Sequence, residues 1–293
     1  MHTILLAGAN GIIGSYLYEH LKNDYDLIGI SRKKNSNHRI NVDLNNKYIL
    51  ESKLQKIKKP DCLIFLIGRA HKKGRKDEIL KYESTNYKTL NNLLSVLKKQ
   101  KKIPDKIIFA STISVYGEKY KTSLYTEESL TNPRSPYAVT KLKAEKYLSD
   151  RFPNESWILR FSPVYSSNFM LNINRRTKLN QKFYFKIGDG SSKFSLCNTE
   201  NILLVVKNIL NGAVPSGIYN ISDPFNYTYD YILKYYNSKR TIRIPTFIIK
   251  IIYFFGKNLG NAYLIENSIK LLTDNIYPSK KISQFVNLIK YLK

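Results

Sequence analysis

An apolar pentad followed at once by three glycines at three-residue spacing constrains this chain more than any other feature. Thr3-Ile-Leu-Leu-Ala7 has the length and composition of a buried strand. Gly8-Ala-Asn-Gly11-Ile-Ile-Gly14 follows directly, and residues 15–22 read as helix. Gly8 suits the tight turn, Gly11 lets backbone approach a pyrophosphate, and Gly14 lets helix and strand pack closely. Phosphates would lie at the helix N-terminus, where free N–H groups and the dipole favour anions. The spacing differs from the usual Gly-x-Gly-x-x-Gly. A glycine triplet alone is an ordinary turn, but its place between a first strand and a first helix favours a nucleotide site.

Strand-like and helix-like segments alternate through about Phe161, which predicts an α/β fold with a parallel sheet. Asp61-Cys-Leu-Ile-Phe-Leu-Ile67 and Ser156-Trp-Ile-Leu-Arg-Phe161 are apolar runs of strand length, suited to a sheet covered on both faces. Later, residues 201–210 read as helix, 217–221 as strand and 228–236 as helix. The 293 residues bound one large or two intimate domains. We place a dinucleotide-binding domain at 1–161 and a mainly substrate-binding lobe at 162–293, with about 194–221 returning to the first domain.

Ser135-Pro-Tyr137-Ala-Val-Thr-Lys141 sets a tyrosine and a lysine four residues apart, on one face of a helix. An ammonium beside a phenol favours the phenolate, which makes a proton donor and acceptor usable near neutral pH. Alone, the pair is usually a half-buried aromatic and a solvated amine. Lys106-Ile-Ile-Phe-Ala-Ser-Thr112 is a buried strand ending in hydroxyls, and ligands of open α/β sheets lie at the carboxyl ends of strands. Thr112 is therefore placed to hydrogen-bond a substrate oxygen beside Tyr137, or is a turn hydroxyl.

These three segments together resemble the extended short-chain dehydrogenase/reductase family of nucleotide-sugar epimerases, dehydratases and reductases, over most of the chain. The resemblance implies a doubly wound parallel Rossmann sheet with a smaller, discontinuous C-terminal substrate lobe. It assigns Thr112, Tyr137 and Lys141 to catalysis: Tyr137 exchanges a proton with the sugar, Lys141 holds the nicotinamide ribose and lowers the phenol pKa, and Thr112 orients the reacting oxygen. It assigns Gly8, Gly11, Ile12, Gly14, Ser31, Arg32, Asp43, Leu66 and Gly68 to cofactor binding, with Tyr137 and Lys141. Asp43 matches an acid that contacts adenine, although a solvent-facing turn Asp reads as well. Phe65 and Ile67 depart from the family pattern around Gly68. Asn86 matches a structural asparagine. Asn168 and Lys193 take substrate positions, and the family's homodimer is expected.

The second strand, Asp26-Leu-Ile-Gly-Ile30, runs into Ser31-Arg32-Lys33 with no acid to hold both ribose hydroxyls. Arg32 and Lys33 suit a 2′-phosphate, so NADP(H) is favoured and NAD(H) stays open. Family dehydratases follow the active-site Thr with Asp-Glu, whereas Ile113 and Ser114 stand here, so dehydration is not expected. Reduction of a 4-keto-sugar ranks first and 4-epimerisation of a nucleotide sugar second. The local sequence is similar to the polysaccharide-cluster branch, which holds both reactions. The alternative of another class is a catalytically idle NADP-binding sensor or scaffold.

The 48 Lys and Arg against 22 Asp and Glu make a net charge of +26. Such a field draws an anionic nucleotide sugar with a salt-dependent on-rate. Nucleic acid is not expected as a partner, because clusters such as Lys98-Lys99-Gln-Lys101-Lys102 read as solvated helix ends. Residues 246–255, Thr-Phe-Ile-Ile-Lys-Ile-Ile-Tyr-Phe-Phe, are the most apolar stretch but too short to span a bilayer. They read as a lobe helix or dimer contact ahead of a membrane contact. No signal peptide is read before the first strand, and the two cysteines set no disulfide framework. Four scattered histidines set no metal site. A cytoplasmic enzyme is expected.

Overall fold

The structure, a computed structural model, describes residues 2–32, 40–69, 78–117, 119–120 and 122–292. The first half runs β1 (Thr3–Ala7), α1 (Ile12–Leu21), β2 (Asp26–Ser31), β3 (Ile40–Asn41), α2 (Lys47–Gln55), β4 (Cys62–Phe65), α3 (Ile79–Glu83), α4 (Thr89–Lys99), β5 (Lys106–Thr112), α5 (Pro136–Arg151) and β6 (Ser156–Phe161). The second half runs β7 (Val164–Tyr165), α6 (Leu171–Thr177), β8 (Tyr184–Ile187), β9 (Lys193–Ser195), β10 (Cys197–Asn198), α7 (Thr199–Leu210), β11 (Gly217–Ile221), β12 (Asn226–Thr228), α8 (Tyr229–Tyr235), β13 (Thr241–Ile244), α9 (Thr246–Asn258) and α10 (Ala262–Leu272).

Seven strands form one parallel sheet in the order β11-β6-β5-β4-β1-β2-β3. The order turns back on either side of β1, as the doubly wound expectation requires, and β1 pairs in parallel with both β2 and β4. All four residues of β4 and all six of β6 are buried, because helices cover both sheet faces. Helix α4 buries Leu90, Leu93, Leu94 and Leu97, a stripe at helical spacing that packs with Leu5, Leu63 and Phe109 in one core.

Helix α5 breaks that logic in an informative way. Its buried stripe reads Ala138, Lys141, Ala144, Glu145 and Leu148, so two charged residues occupy core positions. Ser135 caps its N-terminus by accepting from the Ala138 N–H at 3.4 Å, and Pro136 starts the first turn.

The chain divides into two compact units. The first holds residues 1–112, 135–160 and 206–218; the second holds 113–134, 161–205 and 219–293. Residues 113–134, assigned to the first domain from sequence, group with the second unit, and of 194–221 only 206–218 groups with the first. The second unit contains three two-stranded pairings, β7 with β10, β9 with β12 and β8 with β13. Its core is aromatic, built on Tyr165, Phe185, Phe194, Tyr227 and Tyr229, and Ile249 of α9 joins it. Buried Asp223 accepts from the Tyr165 hydroxyl at 2.6 Å and the Tyr227 hydroxyl at 2.8 Å. Among the described residues, no helix is long and apolar enough to cross a membrane.

Candidate active site

Backbone hydrogen bonds close the turn after β1. Gly8 sits at φ +93°, a left-handed conformation, and its N–H donates to Ile30 O at 3.1 Å. The Gly11 N–H closes the turn on Gly8 O at 2.9 Å, and Gly11 then caps α1 with no side-chain bond. A Cβ on Gly14 would stand 2.2 Å from Gly8 O, so the helix passes too close for any other residue. Ile12 begins α1 and is exposed.

This turn opens on a cavity of about 370 Å³. Seven residues expected to bind a cofactor line it: Gly8, Gly11, Ser31, Arg32, Asp43, Leu66 and Gly68. Ile12, Gly14, Tyr137 and Lys141 do not. The exposed Asp43 carboxylate accepts from the Asn45 N–H at 2.9 Å, so the turn reading and the cavity position both hold for this residue. Lys33 and His71 lie outside the described residues. Asn10, Asn45, Thr85 and Thr89 also line the cavity. Asn10 could have been found inside the glycine motif; the other three carry no sequence signal, because separate segments bring them in.

Thr112 ends β5 and Tyr137 opens α5, and their hydroxyls are hydrogen-bonded. Lys141, one turn along, is almost wholly buried, at 2 % exposure. Its Nζ donates to Ala110 O at 2.8 Å and Ile67 O at 3.2 Å, and lies 4.6 Å from the centre of the Phe109 ring. A Cβ on Gly68 would come 3.1 Å from that nitrogen, so the ammonium stands against the cavity lining. Asn86 fastens the helix: it donates to Thr140 Oγ1 at 3.0 Å and accepts from the Arg69 N–H at 2.7 Å.

The electrostatics correct one expectation. Tyr137 keeps part of its surface, yet burial around its hydroxyl pushes the phenol up to about 12, against a lowering contribution from the Thr112 hydrogen bond. Burial pulls Lys141 down to about 7, opposed by the charge of Glu145. Lys141 therefore does not lower the phenol pKa here: its nitrogen faces two carbonyls, and burial is the largest influence on the phenol.

Sequence reasoning missed the pair behind Lys141. Arg160 on β6 donates from Nη2 to Glu145 Oε2 at 2.7 Å and from Nε to both carboxylate oxygens at 3.2 Å. Ser111 donates to the same carboxylate. The signal was available, since Glu145 continues the helical stripe of Lys141.

Asn168 and Lys193 both lie in the second unit. Asn168 is exposed in a tight turn closed by Ser166 and Phe169, whose backbones exchange hydrogen bonds at 3.0 and 3.1 Å. Lys193 is exposed on β9, and its N–H donates to Asp274 at 2.7 Å.

A parallel sheet whose first turn is a glycine loop over a cavity, with the Lys141 ammonium against its lining, defines a nucleotide-binding α/β protein. Residues 4–222 match the family model of the NAD dependent epimerase/dehydratase family, and the chain belongs to that family. An uncharacterized UDP-glucose epimerase of Bacillus subtilis is 30% identical over 182 residues, 55% of this chain and 56% of that protein. The chain spans about half the length of the curated relatives it matches. The UDP-glucuronic acid 4-epimerase of Bacillus cereus, solved with NAD, superposes with a TM-score of 0.72 at 22% identity, covering 99% of this chain and 93% of that one. The UDP-Glc/GlcNAc 4-epimerase of Campylobacter jejuni gives 0.74 at 17% identity, covering 99% and 95%. The structural likenesses show the fold.

Proposed function

We propose that this chain catalyses NAD(P)-dependent epimerisation of a nucleotide-activated sugar at a ring carbon. The observation that carries the reading is the Thr112–Tyr137 hydrogen bond with Lys141 one turn away and against the cavity lining. The activities of the similar proteins favour 4-epimerisation over the keto-sugar reduction that the sequence alone ranks first.

The residues present fit a dinucleotide. Backbone at Gly8 and Gly11 and the uncapped start of α1 would hold the pyrophosphate, Asp43 the adenosine end, and Lys141 the nicotinamide ribose. A bound nicotinamide would supply reversible hydride transfer at the sugar carbon. Tyr137 would take the hydroxyl proton as the ketone forms and return it as the alcohol re-forms. Thr112 would fix the direction of the Tyr137 hydroxyl. At about 12, the phenol described here is a proton donor; to act as base it needs the charged form of Lys141 turned toward it. Neither Ile113 nor Ser114 offers the acid–base pair that dehydration needs.

One-way reduction of a keto-sugar is the second reading, favoured by Arg32 in the cavity lining, where a guanidinium suits the 2′-phosphate of NADPH. Identifying any copurifying nucleotide, then following UDP-glucose and UDP-N-acetylglucosamine by NMR, separates the readings. Interconversion of 4-epimers without net cofactor consumption supports the first. NADPH oxidised in step with an added UDP-4-keto-sugar supports the second. Cofactor binding with no turnover of any sugar nucleotide would sink both in favour of an idle binding protein.

A further inference from the structure

Helix α9 turns a broad apolar arc to solvent. Phe247, Ile251, Phe254, Phe255 and Leu259 each keep between 56 and 62 % of their surface exposed. At about 100° per residue these five spread over roughly 140° of the helix. Ile249 and Gly256 are its buried residues, on the far side, where Gly256 lets α10 approach: a Cβ there would lie 2.7 Å from Leu264 Cβ. Lys250 and Lys257, seven residues apart, fall together at one border of the arc.

The charge along this stretch of the chain is one-sided. Between Asp230 and Glu266 the chain carries Lys234, Lys239, Arg240, Arg243, Lys250 and Lys257 and no acid. Glu266 itself is buried, at 4 % exposure. An apolar arc with lysines at its edge matches a helix lying in a membrane interface, its rings and aliphatic groups below the headgroups and its ammoniums reaching back to the phosphates. A second copy on the same face would set lysine against lysine between chains of net charge +26. At 13 residues the helix is far short of the roughly 20 that a span needs.

We infer that the α9 face docks this protein on an anionic phospholipid bilayer, with the helix lying in the plane of the headgroups. This inference uses nothing from the catalytic reading, so either can fail alone.

The test is flotation of the full chain with vesicles of phosphatidylcholine alone and with about one third phosphatidylglycerol. The expected result is flotation on the anionic vesicles, weaker by at least about tenfold at high salt and on phosphatidylcholine alone. Ile251→Glu with Phe255→Glu is expected to lower partitioning at least about tenfold, with nucleotide titration unchanged as evidence of folding. Lys250→Glu with Lys257→Glu is expected to remove the preference for anionic lipid. A wild-type chain that stays off anionic vesicles, or an Ile251/Phe255 variant that floats as well as wild type, overturns the inference. So does self-association in sedimentation velocity that the same variant abolishes while vesicle binding is absent, which would assign the face to a second copy.

Discussion

Glu145 and Arg160 meet as a buried ion pair, 2.7 Å between Oε2 and Nη2, one helical turn beyond Lys141. The pair welds α5 to β6, and its carboxylate is the charge that opposes the fall in the Lys141 pKa. Glu145→Gln leaves a buried guanidinium without its anion, which costs about 3–5 kcal/mol. Urea unfolding should show that loss. The same change should move the Lys141 titration below about 7, seen as a shift of the pH–rate profile to lower pH. An unmoved profile would confine Glu145 to stability.

Tyr137→Phe keeps the ring and removes the proton carrier. Turnover is expected to fall by at least about a hundredfold, the lower range for a lost acid–base group. Nucleotide binding, measured by fluorescence titration, should stay within about threefold of wild type, because the cavity lining is untouched. Unchanged turnover would remove Tyr137 from the mechanism.

Two titrating groups, Lys141 and Tyr137, give stability an unusual pH dependence. Lys141 at about 7 lies below the free lysine value of 10.5, so between the two the unfolded chain holds more protons than the folded one. Stability from this group is therefore gained as pH rises from about 7 to about 10. Tyr137 has the opposite sign: its value of about 12 exceeds the free value of 10.0, and its contribution is lost as pH climbs through that window. Melting temperatures across pH 7–10 (about that span) should rise for wild type relative to Lys141→Met. A pH-independent difference between the two would show that Lys141 keeps its proton.

Gly14→Ala introduces a methyl group where 2.2 Å separates it from backbone oxygen of Gly8. Backbone cannot swing aside as a side chain can, so α1 or the turn must shift, at a cost of about 1–3 kcal/mol or more. Thermal unfolding should report the destabilisation, and nucleotide titration a weakened site. Full retention of both would mean that α1 relaxes freely.

Arg32→Asp exchanges a cation at the cavity wall for a carboxylate. If the guanidinium meets a 2′-phosphate, NADPH affinity should fall at least about tenfold while NADH affinity holds or improves. Equal losses for both nucleotides would assign Arg32 a general field effect and leave the preference elsewhere.

Much of this molecule was legible from consecutive residues. The strand at Thr3–Ala7 and the turn at Gly8 follow from side-chain period and glycine spacing, which are local properties of the chain, while the helix read over 15–22 begins three residues earlier, at Ile12. The Thr112, Tyr137 and Lys141 cluster was legible because a strand end and a helix face each restrict where a side chain can go. Gly217–Ile221 was read as a strand at its observed bounds, while the most apolar stretch, 246–255, lies within the longer helix α9.

By itself, then, the sequence determined the parallel α/β plan, the glycine turn after the first strand and the candidate side chains Thr112, Tyr137 and Lys141, since spacing along the backbone encodes all three. Tertiary structure alone decided that Lys141 faces two carbonyls, that Arg160 arrives from another strand to neutralise Glu145, and that α9 buries little beyond Ile249 and Gly256. Each of those depends on what packs alongside. Desolvation, ion pairing and exposure belong to a residue's surroundings, and those surroundings are assembled from segments far apart in the chain.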